Sequence, residues 1–130
     1  MSARILLVDD DEEICEEIGG LLRDTGFKVA SVHEGRAAVK LLDEKKFDLL
    51  ILDLKVPGIP GIDILRHVKG KRMPLKVLVV TGKPVKDMYE NDDSALPDDP
   101  EQSELLHLAD GFVGKPFDVE ILLARIKTLL

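Results

Sequence analysis

Short apolar runs alternate along the chain with longer stretches in which apolar residues return every three or four positions. Residues 5–8, 29–32, 49–52 and 77–80 are rich in Val, Ile and Leu, the composition of strands buried on both faces of a sheet. A weaker fifth run, Gly111–Gly114, holds Phe112 and Val113. Between these runs lie helical patterns. Ile14, Ile18, Leu21 and Leu22 share one face, with Gly26 placed as a stop. Ala38, Val39, Leu41 and Leu42 form a second stripe, and Ile62, Leu65 and Val68 a third. The last pattern is the most regular. Val119, Leu122, Leu123, Ile126 and Leu130 keep the helical spacing, and Asp118 stands where an N-cap belongs. This alternation predicts right-handed βαβ crossovers, and so an α/β domain with one doubly wound parallel sheet covered on both faces.

The rhythm fails after the fourth run. Pro84, Pro97 and Pro100 interrupt any long helix, and only residues 103–108 keep a short helical pattern, from which Leu105, Leu106 and Ala109 would dock on the sheet. The rest of this segment reads as a solvated loop. It also carries the charge. The chain is −7 overall, yet residues 82–104 hold eight acids against Lys83 and Lys86, net −6, and leave the body at −1. Neither part offers the basic stripe that nucleic-acid binding needs, so no direct nucleic-acid partner is expected. With 130 residues, 45% of them hydrophobic, the chain reads as one domain over residues 1–130, with 82–104 as an acidic insertion. No run approaches the ~20 apolar residues of a membrane span, so no membrane insertion is expected. Cys15 is the single cysteine, which excludes an intramolecular disulfide and points to a reducing cytoplasm.

Candidate chemistry gathers where such sheets bind ligands, at the carboxyl ends of the strands. The first strand runs into Asp9, Asp10 and Asp11, the third into Asp53, and the fourth into Thr81; Lys115 and Pro116 follow the fifth. Each has an ordinary explanation. Asp10 or Asp11 would serve as a helix cap, Asp53 as a turn residue, Thr81 as a strand terminus and Lys115 as a surface lysine. Their convergence on one rim argues for more. Clustered carboxylates repel one another and call for a cation, and a hard oxygen-liganded ion such as Mg²⁺ suits them. His33, His67 and His107 are scattered, with no partner at metal-ligand spacing, and read as surface or half-buried structural residues. Cys15 lies beside the first helical stripe and reads as a partly buried thiol.

The segments ILLVDDDEEI, DLLILDLKVPGIPGIDIL, VLVVTG and DGFVGKPF resemble those of the receiver domains of two-component response regulators, and the resemblance covers nearly the whole chain. It implies a flavodoxin-like five-stranded sheet of order 2-1-3-4-5. By position it makes Asp53 the phosphorylated aspartate, Asp10 a direct Mg²⁺ ligand, Asp9 a ligand acting through water, and the Lys55 carbonyl a further ligand. It makes Thr81 and Lys115 contacts of the phosphoryl oxygens, and Thr81 with Phe112 the switch pair. A cis peptide before Pro116 is also implied. Two departures qualify the transfer. The stretch from Thr81 to Lys115 is roughly a dozen residues longer than the family's usual connection, displacing or shortening the family's fourth helix. The Lys55 side chain also stands where it would either reach the pocket mouth or remain solvated.

The expected function is a phosphorylation switch, not a metabolic enzyme: Asp53 accepts a phosphoryl group with Mg²⁺ and is reset by hydrolysis. The expected partners are a sensor histidine kinase or phosphotransfer protein and a downstream protein, with the chain a monomer or weak homodimer. A phosphorylation-independent interaction module is the alternative, and the intact acidic set speaks against it. An aspartate-nucleophile phosphohydrolase fits less well, since its nucleophile belongs on the first strand. The chain ends after its last helix, so no output domain is expected within it.

Overall fold

A computed structural model describes residues 3–81, 104, 107–115 and 118–130. The apolar runs become β1 (Arg4–Val8), β2 (Lys28–Val32), β3 (Leu49–Asp53), β4 (Lys76–Thr81) and β5 (Gly111–Gly114). The periodic segments become α1 (Glu12–Asp24), α2 (Gly35–Glu44), α3 (Gly61–Gly70) and α4 (Val119–Leu129). Every strand pairing is parallel, in the order β2-β1-β3-β4-β5 that the resemblance implied.

Alternation along the strands splits the core in two. Leu6, Val8, Leu50, Leu52, Val77 and Val79 face α2 and α3, where they meet Ala38, Leu42, Ile64, Leu65 and Val68. Ile5, Leu7, Leu49, Ile51, Leu78 and Val80 face α1 and α4, against Cys15, Ile18, Leu22, Leu122 and Ile126. Helix ends follow the sequence signals. Asp11 caps α1 through Glu13 and Ile14 N–H, and Asp118 caps α4 through Glu120 N–H. Gly26 follows α1 at φ +107°, a left-handed conformation that a side chain would disfavour.

Three expectations need correction. β2 is half-buried instead of fully covered, because it is an edge strand with β1 as its one neighbour. Val119 and Leu130 are exposed, because Leu122, Leu123, Ile126 and Leu129 supply the face of α4 that packs on the sheet. Cys15 is buried outright at 3% exposure. His33 is half-buried, as its structural reading held, and its ring meets the Asp9 carbonyl oxygen. Within the short helix expected at 103–108, Glu104, His107 and Leu108 are helical, and Leu108 and Ala109 pack on the core. Ser103, Leu105, Leu106, Pro116 and most of the acidic insertion lie outside the described residues.

Candidate functional site

The carboxyl ends of β1, β3 and β5 bring three charged side chains into direct contact. Lys115 Nζ donates to Asp9 Oδ2 and to Asp53 Oδ2, each at 3.0 Å. The alternation that sends Leu7, Ile51 and Val113 toward α1 and α4 continues to residues 9, 53 and 115, so all three arrive on one side. The remaining oxygens are held by backbone. Asp11 N–H donates to Asp9 Oδ1 and Lys55 N–H to Asp53 Oδ1, both at 3.0 Å. The two carboxylates are thus fixed by one ammonium and two amides, and are 3% and 4% exposed.

Asp10 is exposed and completes the cluster. Asp9, Asp10 and Asp53 each place one carboxylate oxygen within 4.8 Å of the others. Burial, reinforced by the Asp53 charge, raises the Asp9 pKa against the opposing help of Asp11 N–H and Lys115. Partial burial works against the Lys115 charge, but hydrogen bonds and attraction from Asp53 and Asp9 together hold its pKa above the ordinary value. One ammonium therefore leaves the acids undercompensated. A hard cation fits the donor set: Mg²⁺ accepts few protein ligands, keeps waters, and sets its oxygens about 3 to 4 Å apart.

Other predicted residues fall as follows. Asp11 is a helix cap, as one reading of the acidic run held. Lys55 is exposed, and its backbone N–H supports Asp53. Thr81 ends β4 in register with Gly114, across the sheet edge that delivers Lys115. Phe112 is 2% exposed, in the core layer with Val79 and Leu108. Sequence reasoning missed His33 and Cys15. His33 Nδ1 lies 3.0 Å from the Asp9 carbonyl oxygen, and the Cys15 thiol donates to the same oxygen at 3.5 Å. Burial, with the Asp9 and Asp11 charges, pushes that thiol up to about 11.

Comparison with known proteins places this arrangement in a class. Residues 5–92 match the family described as response regulator receiver domain. The chain is 32% identical over 131 aligned residues to the response regulator MprA of Mycobacterium tuberculosis, and 34% identical to the regulatory protein VanRB of Enterococcus faecalis. Each alignment covers all of this chain but 51% and 53% of the relative, so the chain spans about half the length of the curated relatives it matches. Among solved structures, a response regulator receiver domain from Methanospirillum hungatei superposes with a TM-score of 0.82 at 26% identity, covering 98% of this chain and 93% of that one. The response regulator TrrA of Thermotoga maritima, solved with Mg²⁺ and BeF, gives 0.78 at 28% identity with both chains fully covered. The fold and rim define a phosphorylation-switch domain of two-component signalling. This chain belongs to the response regulator receiver domain family.

Proposed function

We propose that Asp53 is the phosphoacceptor of this domain, that Asp9, Asp10 and Asp53 hold Mg²⁺ with the Lys55 carbonyl, and that Thr81 and Lys115 meet the incoming phosphoryl group. The observation carrying this reading is the Lys115 ammonium seated between two buried carboxylates, with a third acid at the mouth. Phosphoryl transfer asks mainly for alignment and charge neutralisation. The Asp53 carboxylate forms the new O–P bond. The donor's P–N bond (phosphohistidine) or P–O bond (acetyl phosphate) breaks, and its electron pair leaves with the donor. Lys115, already held above its ordinary pKa, stays protonated and faces the charge that builds on the phosphoryl oxygens. An ion held by Asp9, Asp10 and Asp53 would supply further neutralisation of those oxygens. Asp9 and Asp10 keep their carboxylates beside Asp53, where they would hold the ion. Hydrolysis of the acyl phosphate returns Asp53 to its resting state.

The wider reading follows from the family. The partners are a sensor histidine kinase or phosphotransfer protein and a downstream protein, the compartment is the cytoplasm, and Thr81 with Phe112 relays the change. Among the described residues no helix is long and apolar enough to cross a membrane. The domain is proposed to span residues 1–130 with 82–104 as its insertion. Intact-mass measurement after incubation with acetyl phosphate and Mg²⁺ tests the acceptor. Wild type is expected to gain one phosphoryl group and Asp53→Asn none, with unchanged far-ultraviolet circular dichroism; undiminished labelling of the variant would refute the assignment.

A further inference from the structure

The Asp9 carbonyl sits between the two acids of the rim, since the Asp9–Asp10 peptide joins their Cα atoms. Its surroundings are specific. Asp9 N–H donates to the Val32 carbonyl at 3.2 Å, which ties the start of this peptide to the end of β2. The carbonyl oxygen then receives two donors from opposite neighbours, the Cys15 thiol from α1 and the His33 ring from just beyond β2. A carbonyl oxygen only accepts, so His33 Nδ1 must carry the proton, and both lone pairs of Asp9 O are engaged.

Asp10 needs this support more than Asp9 does. The Asp9 side chain is fixed by Asp11 N–H and Lys115, whereas Asp10 is exposed and its place depends on the peptide plane that precedes it. A change in ψ at Asp9 that φ at Asp10 did not offset would swing the Asp10 Cα–Cβ direction and open the distance to Asp53; the bonds to the Asp9 carbonyl hold that ψ in place. Of the two donors the imidazole is the stronger; the thiol bond is long and weak. Resting on the metal reading proposed above, we infer that His33 is a positioning residue for the cation site: its Nδ1–H locks the Asp9–Asp10 peptide and so sets the Asp10 carboxylate for Mg²⁺. This is the outer hydrogen bond that metal ligands commonly need, delivered here to the backbone that joins two ligands.

The site allows a clean substitution. His33 lines a surface cleft of about 350 Å³ with Glu12, Cys15, Glu16, Arg23 and Ser31, so a smaller residue there leaves the core intact. The Asn amide Nδ2 can stand where His Nδ1 stands, while Leu fills similar space with no donor. The test measures Mg²⁺ affinity of the full chain by titration calorimetry, with no phosphodonor present. Relative to wild type, His33→Leu is expected to weaken Mg²⁺ by about tenfold, the lower end of outer-hydrogen-bond effects, and His33→Asn by no more than about twofold. A long-range ¹H–¹⁵N spectrum at about pH 8.5, where a free imidazole is neutral, is expected to show His33 as the Nδ1–H tautomer. Wild type binding Mg²⁺ while His33→Leu binds equally well, or an Nε2–H tautomer, overturns the positioning role alone. Wild type showing no Mg²⁺ affinity overturns the metal reading and this inference with it. Equal losses in the Leu and Asn variants would assign His33 to packing and likewise overturn the proposal.

Discussion

At the scale of single residues, the site is a problem in charge compensation. Three carboxylates face one ammonium, and burial raises the Asp9 pKa, so the folded state carries an electrostatic penalty that a divalent cation would relieve. Mg²⁺ is therefore expected to stabilise the fold by mass action. At ten times Kd the gain is about 1.4 kcal/mol, a rise of a few degrees in Tm. Asp10→Asn should lose most of that rise, because it removes the acid with the weakest support of its own. Calorimetric melting with and without Mg²⁺ measures both; an unchanged wild-type Tm would reduce the acidic rim to helix capping. These acids were readable in the sequence because a strand's period of two and its carboxyl end fix where Asp9, Asp53 and Lys115 must lie. His33 was not readable. Its hydrogen bond goes to a backbone carbonyl 24 residues away, and such a contact leaves no mark in composition or spacing.

At the scale of elements, the helices are held to the sheet by apolar faces and to one another by exposed ion pairs. Asp43 on α2 accepts from His67 Nε2 on α3 at 2.8 Å and from Lys71 Nζ, just past α3, at 3.2 Å. The His67 hydrogen bond, helped by Lys71, holds the Asp43 carboxyl below its ordinary value. The sign follows by linkage. A carboxylate depressed in the folded state contributes stability above its unfolded value of 3.8, and that contribution is lost as pH falls through the lower folded value. Urea denaturation on a pH series should show Asp43→Asn with a shallower decline than wild type below about pH 4. Parallel acid limbs would mean the pair is solvated in solution. Asp9 runs the other way, since its raised pKa favours the fold as that carboxyl protonates. Element existence and order were legible because each strand is an unbroken apolar run and each helix keeps its stripe. The exposure of Val119 and Leu130 was not, for both keep the helical spacing while Leu129, not Leu130, closes the packed face of α4. The loop between β3 and α3 shows a similar limit. Gly58 adopts φ +88°, and a Cβ on Gly35 would run into the Ile59 backbone, a close approach that no pattern in the chain announces.

At the scale of the whole molecule, charge is distributed unevenly, with −6 of the net −7 on residues 82–104, directly after Thr81. A phosphodonor is itself an anion, so this segment is expected to oppose its approach over about a Debye length, ~8 Å at physiological salt. Replacing residues 90–101 with a short neutral linker should speed acetyl-phosphate labelling of Asp53, most at low ionic strength, with the gain fading as salt is added. Equal rates across the salt series would make the segment a spacer. The same connection has a consequence for biosynthesis. Asp9 and Lys115 are 106 residues apart in the chain, and Asp53 and Lys115 are 62 apart. A nascent chain that has emerged through β4 already displays both acids, but the Lys115 ammonium that pairs with them arrives only when β5 docks on β4. The charge arrangement of the rim is thereby tied to the synthesis and docking of β5, and a product truncated before Lys115 is expected to leave Asp9 and Asp53 without their shared ammonium.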